Sequence, residues 1–100
     1  MEIRIQSIHF DASEQLEKFI QKKVEKLSRY SDDIMTAEIT LKVLKPETAQ
    51  NKEVGVKLSV PKTEDLFSSK VADTFEEAVD LALDALVRQL QKSKEKMRVK

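Results

Sequence analysis

The residues of this sequence whose type and spacing indicate a chemical role are the basic ones, which could bind an anionic partner. Between residues 12 and 30, four of them recur at helical spacing, nearly opposite the apolar residues of the same segment: Lys18, Lys22, Lys26 and Arg29. We call this set the basic stripe, and Lys23 lies beside it. Rows of exposed cations bind polyanions, and the phosphate backbone of RNA or DNA is the partner they favour.

The C-terminal segment is basic as well. Residues 88–100 contain six basic residues against Glu95 alone, whereas residues 64–84 contain seven acids against Lys70 alone. The whole chain is neutral, with 18 Lys and Arg and 18 Asp and Glu. This asymmetry predicts a neutral molecule with its positive charge at one end, which would orient a polyanion as well as attract it.

Both basic segments also have a purely structural interpretation. Acids early and bases late in a helix are favoured by the helix dipole, and Glu14 with Lys18 is spaced for an ordinary i,i+4 pair. For the first segment the two interpretations are equally open. The C-terminal segment favours nucleic-acid binding more strongly, because it has little apolar surface to bury and more cations than a helix end needs.

The apolar residues predict the elements that position these cations. Alternation with a period of two predicts strands at residues 2–8, 36–44 and 53–60, and a weaker strand at 66–71 with Phe67 and Val71 on one face. A helix is predicted from about residue 12 to residue 30, with Asp11 and Glu14 as its capping pair.

A second helix is predicted to begin at the capping pair Asp73 and Glu76 and to run past the core at least to Met97. Its buried stripe is expected to consist of Phe75, Val79, Ala82, Leu86 and Leu90.

The resulting order, β-α-β-β-β-α, permits few topologies. A right-handed crossover makes the first strand parallel to the second, and short loops make the last three strands an antiparallel meander. The predicted fold class is therefore α+β, a four-stranded mixed sheet with two roughly parallel helices on one face. Both helices then finish at the same end of the domain, which brings the two basic segments together.

Length and composition exclude several classes of protein. The 100 residues suffice for one domain, and we expect residues 1–100 to form it, with a disordered C-terminal tip from about residue 97. The chain has no cysteine and no apolar run long enough for a membrane span, and it starts with a strand pattern rather than a leader. We therefore expect a cytoplasmic protein.

No pattern of an enzyme or metal site is found, and we expect no catalytic residue, cofactor or metal. His9 is the only histidine and has no second base or ligand beside it, so a structural or solvent-facing role is expected. The only glycine, Gly55, lies within a strand, where it relieves crowding or marks a bulge. An acylphosphatase-like enzyme would need an arginine in a glycine-containing anion loop, and no loop has one.

Two further surfaces remain open. Tyr30 ends the first helix beside the basic stripe, and its ring could equally stack on a base or close the helix against the sheet. A protein-interaction surface on the outer sheet face is disfavoured because that face is polar and has no apolar patch. It would be formed by Glu38, Thr40, Lys42 and Lys57.

Three segments carry a resemblance to a known family: KKVEKLSRY at 22–30, ITLKV at 39–43 and DLALDALVRQLQKSKEKM at 80–97. With the order and length of the elements, they make the whole chain similar to the short form of the ribosome hibernation promoting factor family, which includes the ribosome-associated inhibitor. The resemblance implies a fold related to double-stranded-RNA-binding domains. It also implies binding to the small ribosomal subunit and its 16S rRNA, in the mRNA and tRNA channel at the A and P sites, which silences ribosomes in stressed or stationary cells.

The resemblance also implies RNA-binding residues. Family contacts map by position onto Lys23, Lys26, Arg29, Arg88, Lys92, Lys94 and Lys96, to which the basic stripe adds Lys22. The sequence departs from the family at Ala85, where a lysine is frequent, and at Phe75, where a tyrosine is usual.

The partners follow from the same resemblance. The long form's dimerisation domain and the inhibitor's tail have no counterpart in this sequence, so we expect a monomer when free. No DNA, membrane or small-molecule partner is expected. A module that binds structured RNA in general, not ribosomes specifically, is the alternative.

Overall fold

The predicted order of elements is confirmed. The computed structural model describes residues 1–8, 10–31, 33–45, 49–61 and 64–98, with side chains as far as Lys92, so His9 lies outside it. The elements are β1 Glu2–Ile8, α1 Glu14–Glu25, a 3-10 segment Lys26–Arg29, β2 Thr36–Val43, β3 Lys52–Ser59, β4 Leu66–Ala72 and α2 Phe75–Arg98. The predicted first helix is thus an α-helix that tightens into 3-10 geometry in its last turn.

The sheet has the strand order β1-β2-β3-β4. β1 is parallel to β2, with Ile5 opposite Ile39, and β2, β3 and β4 form an antiparallel meander. Consequently β4 runs in the same direction as β1. This is the predicted topology, and it follows from one long crossover and two short connections.

The core lies between one face of the sheet and the two helices. Ile39 and Val56 face it directly across β2 and β3, while Glu38 and Lys57 on the opposite face are exposed. All five residues of the predicted α2 stripe are buried, and Leu90 is the last of them. The other buried apolar residues are Ile20, Val24, Leu27, Ile34, Ala37, Leu41, Val54, Leu58, Ala72, Ala78 and Leu83.

Hydroxyl side chains cap both helices. Ser13, in extended backbone just before α1, accepts a hydrogen bond from the Leu16 amide at 3.1 Å. Thr74 accepts one from the Glu77 amide at the same distance, 3.1 Å. The predicted capping pairs, which began at Asp11 and Asp73, were therefore wrong, because the cap must immediately precede the first helical residue for its oxygen to reach the amide of the first turn.

The two helices start side by side and run in the same direction. The rings of Phe10, before α1, and Phe75, at the start of α2, are stacked with centroids 5.1 Å apart. Each helix leaves the carboxyl end of a strand, β1 or β4, and these strands point the same way. With 24 residues, α2 is about 36 Å long, whereas the 12 residues of α1 span about 18 Å.

The end of α2 extends beyond the core. Leu90 is buried but Gln91 and Lys92 are exposed, and the helical backbone continues to Arg98. Residues 97 and 98, where we expected disorder to begin, belong to this helix. Residues 99–100 lie outside the described residues, so the disorder of the tip stays a prediction.

Gly55 does not mark a bulge. Its pairing with Thr40 on one side and Ser69 on the other is part of an uninterrupted register. A Cβ at Gly55 would lie 3.5 Å from the ring of Phe67, so the ring covers the glycine on the outer face. Phe67 is 59% exposed there, which corrects the expectation that this face is polar throughout.

Candidate nucleic-acid interface

The basic stripe is a continuous exposed surface on α1 and the 3-10 segment. Lys22, Lys26 and Arg29 line one shallow groove together with Glu25. Lys18 and Lys22 line the neighbouring groove, which continues the surface towards the start of α1. All four cations of the stripe are exposed.

The fold determines the direction in which the stripe faces. Ile20 and Val24 in α1 and Leu27 in the 3-10 segment are buried against the core, so the opposite side of the helix must face solvent. In 3-10 geometry, side chains three residues apart are eclipsed. Lys26 and Arg29 therefore point the same way, and the tightening of the last turn concentrates the charge at the end of the helix.

Lys23 lies apart from the stripe, on the side of α1 that faces α2. Its Nζ is 3.3 Å from Oδ1 of Asp80, in the second turn of α2, and 5.5 Å from the ring centroid of Phe19. The Lys23 side chain is only 35% exposed. Of the candidate RNA-binding residues whose side chains are described, it is the one held between the two helices.

The candidate residues of α2 lie on its C-terminal half. Arg88 is exposed and pairs with Asp84 one turn earlier, with Nη2 3.4 Å from Oδ2. Lys92 is exposed on the next turn. Lys94 and Lys96 belong to the helical backbone of α2, but their side chains lie outside the described residues.

The six candidate cations whose side chains are described therefore fall into two classes. Lys23 and Arg88 each have a carboxylate partner. Lys22, Lys26, Arg29 and Lys92 form no ion pair with any side chain that the structure describes. We call these four the free cations, because each can bind a phosphate without first giving up a partner among the described side chains.

Because both helices finish at the same end of the domain, the free cations of α1 and the basic turns of α2 belong to one end of the molecule. We call it the basic end. The acids Glu76, Glu77 and Asp80 occupy the first turns of α2, towards the opposite end. A polyanion is attracted to the basic end and repelled from the start of α2.

The outer sheet face differs electrostatically from the basic end. Arg4 lies 2.7 Å from Glu2 and 3.7 Å from Glu38, and Lys57 lies 3.4 Å from Asp65. The hydrogen bond and charge of Glu2 raise the pKa of Arg4 above its ordinary value. Arg4 and Lys57 are therefore paired, and Lys42 is the other exposed cation that the structure describes on this face, so the face offers less attraction for phosphates than the basic end.

Three further observations concern other types of site. The ring of Tyr30 is 39% exposed at the end of the 3-10 segment, where it can reach a partner of the basic end. Among the described residues, no three His, Cys, Asp or Glu side chains are grouped so that they could hold a metal ion. No helix within the described part of the chain is long and apolar enough to cross a membrane.

Comparisons with known proteins identify the family. Residues 3–98 match the family described as Sigma 54 modulation protein / S30EA ribosomal protein. The chain belongs to this family of ribosome-associated modulation proteins, which confirms the predicted resemblance to short hibernation promoting factors. It is a family of ribosome-binding proteins and not a known class of enzyme.

Solved structures share the fold. A ribosomal subunit interface protein from Coxiella burnetii is 24% identical and matches with a TM-score of 0.84, over 95% of this chain and 99% of that one. The N-terminal domain of Protein Y from Thermus thermophilus is 18% identical and matches with a TM-score of 0.78, over 92% and 98% of the two chains. A search of curated proteins finds no match.

Sequence reasoning missed the acids that hold two of the candidate residues. Asp84 precedes Arg88 by one helical turn, and Phe19 precedes Lys23 by one turn, so both contacts had a signal in the i,i+4 spacing. The ion pair of Lys23 with Asp80 had no signal in the sequence spacing, because it joins two helices that are far apart in sequence.

Proposed function

We propose that this protein binds the small ribosomal subunit through phosphates of 16S rRNA, which contact its basic end, and that it occupies the mRNA and tRNA channel at the A and P sites. Bound there, the domain blocks translation sterically, as a hibernation factor of stressed or stationary cells. It acts in the cytoplasm, where ribosomes translate, and it binds as a monomer. The proposal concerns RNA and involves no DNA, membrane or small-molecule ligand.

The main support for this proposal is that the free cations lie together at the end of the domain where both helices finish. Each phosphate that a cation neutralises releases condensed counterions, so a cluster of exposed, unpaired cations gains affinity at every contact. The RNA-binding residues are Lys22, Lys23, Lys26, Arg29, Arg88, Lys92, Lys94 and Lys96. Family membership supports the ribosome as the source of the RNA.

The mechanism requires no bond to be made or broken. A domain whose longest dimension is 50 Å fills space that a tRNA or mRNA would need, and its charge distribution fixes its orientation. The acids at the start of α2 disfavour the reversed orientation, because they would then face phosphates. Inhibition therefore depends on occupancy of the channel.

A general module for structured RNA is the second candidate. The same free cations would serve it, since phosphate contacts carry no sequence information. The two functions differ in what prevents binding to the small subunit. A tRNA in the P site excludes a protein that binds in the channel. A general RNA-binding module is instead drawn away by any added RNA of similar charge.

The test measures binding of the purified protein to isolated small subunits by sedimentation at several salt concentrations. We expect co-sedimentation that weakens as salt rises, loss of binding when the P site holds a tRNA, and protection of 16S nucleotides in the decoding centre from chemical probes. Salt-independent binding would remove the phosphate contacts from the proposal. Unchanged reactivity of the decoding-centre nucleotides, with protection elsewhere, would overturn the proposed site.

A further inference from the structure

We propose that Asp80 and Asp84 determine the specificity of RNA binding, because they act as internal counterions that withhold Lys23 and Arg88 from RNA in general. The inference rests on the proposed function and deepens it. The free cations bind any RNA, whereas the two paired cations become available only to an RNA that is already positioned at the basic end.

The first pair is held from two sides. The Nζ of Lys23 lies 3.3 Å from Oδ1 of Asp80 and 5.5 Å from the ring centroid of Phe19, so its charge is held by a carboxylate and by an aromatic face within the protein. Asp80 itself is 54% exposed and remains open to solvent. A phosphate that approaches Lys23 therefore meets the carboxylate at the same time.

The second pair lies along one row of α2. Glu76, Asp80, Asp84, Arg88 and Lys92 follow one another at intervals of four residues and so form a single ridge of the helix. Asp84 and Arg88 stand at the point where the ridge changes sign, and they pair at 3.4 Å. Both side chains are largely exposed, at 67% and 75%.

A simpler interpretation is that this ridge only complements the helix dipole, which favours acids first and bases last. That interpretation accounts for the order of charges along α2. It does not account for the contact between Asp80 and Lys23 of another helix, which neutralises a cation that lies beside the basic stripe.

The physical consequence is discrimination. A neutral ion pair exerts little attraction on a distant phosphate and has few condensed counterions to release, so it adds almost nothing to encounters with arbitrary RNA. Exposed ion pairs are nevertheless weak. An RNA phosphate held in place by the free cations can therefore displace the carboxylate, and the protein gains two contacts only with the matching partner.

The experiment compares the affinity of the intact protein for small subunits and for a short non-ribosomal RNA duplex, using Asp80→Asn, Asp84→Asn and the double variant. We expect the double variant to bind the duplex about tenfold more tightly. The slope of log affinity against log salt concentration should become steeper by about one to two, because each new phosphate contact adds about 0.9 to that slope. Its affinity for small subunits should rise by less than about threefold, since those contacts already form in the wild-type complex.

Glu76→Gln is the matched control. It removes the same charge from the same ridge, and Glu76 forms no ion pair with the side chains that the structure describes. We expect it to raise both affinities slightly and equally. The thermal midpoints of all variants should stay close to that of the wild type, because every substituted side chain is exposed.

The outcomes separate this inference from the proposed function. If the wild-type protein does not bind small subunits, the proposed function fails and the specificity role falls with it. If the wild type binds them, and Asp80→Asn and Asp84→Asn raise both affinities by the same factor as Glu76→Gln, the proposed function stands and the counterion role is overturned.

Discussion

The rings of Phe10 and Phe75 lie face to face, with centroids 5.1 Å apart and planes 8° apart. Phe10 precedes α1 and Phe75 opens α2, so the stack ties the starts of the two helices together. Because both helices then run in the same direction, this contact at one end of the domain aligns the cations at the other. The ring of Phe75 is buried in this stack.

The stack should contribute to stability in a way that a double-mutant cycle can measure. Phe75→Ala removes a buried ring and should lower the free energy of unfolding by about 3–5 kcal/mol, and Phe10→Ala should cost less because Phe10 is only partly buried. The coupling energy between the two substitutions, measured by urea unfolding, should be about 0.5–1.5 kcal/mol. Strictly additive losses would show that the rings do not stabilise each other.

Removing two free cations should weaken RNA binding without affecting the fold. For the variant Lys26→Gln with Arg29→Gln, we expect affinity for small subunits to fall by about tenfold per lost contact. The slope of log affinity against log salt should become shallower by about 1.8, that is, about 0.9 for each phosphate contact. The measurement is a salt titration of binding, with the thermal midpoint recorded in parallel.

The matched control for that variant carries Lys42→Gln and Lys70→Gln, which remove two exposed lysines from the sheet. It changes the net charge equally but leaves the basic end intact. We expect its affinity and salt slope to stay near those of the wild type. Equal effects of the two double variants would mean that binding follows the net charge and not the location of the cations.

The caps provide a test of helix stability. Ser13→Ala and Thr74→Ala should each cost about 1 kcal/mol in the free energy of unfolding, because each leaves a first-turn amide without its hydrogen bond. Asp11→Ala, at the residue that the sequence pattern favoured, should cost less than either. Chemical denaturation of the three variants distinguishes the caps, and a larger loss for Asp11→Ala than for Ser13→Ala would contradict the observed hydrogen bond.

Gly55 should tolerate a side chain. The Cβ of an alanine would lie 3.5 Å from the ring of Phe67, which is ordinary van der Waals contact, and alanine restricts the unfolded chain more than glycine does. We expect Gly55→Ala to raise the free energy of unfolding by about 0.4–1 kcal/mol. A loss of stability in this variant that disappears when Phe67→Ala is added would show that the ring cannot accommodate the methyl group.

Most of the fold could be predicted from the sequence because local pattern and topology rules agree. Alternation identified each strand, and the stripe from Phe75 to Leu90 identified α2. The capping residues and the 3-10 segment were not predicted correctly, because they depend on the positions of single atoms. The capping residue is the one whose side-chain oxygen reaches an amide of the first turn. The change to 3-10 geometry at Lys26 depends on how the end of the helix packs in the fold.

The candidate site was predictable in location but less so in its contacts. The positions of Lys22, Lys26 and Arg29 follow from the helical period and the buried side of α1. The state of Lys23 could not be foreseen, because its partner Asp80 is brought near only by the packing of two helices. Charge along a sequence therefore indicates where cations gather on the fold, but not which of them form ion pairs.

The overhang of α2 gives the molecule a taper. Across its long axis the whole domain extends 23 Å by 18 Å, whereas the Cα atoms of a single helix lie on a cylinder about 4.6 Å wide. Among the described residues, only the backbone of this helix continues past Leu90 and on to Arg98, so this end of the domain is narrower than the rest. In the proposed complex, the wider part of the domain that contains the sheet would act as a stop and would limit how far the protein enters the channel.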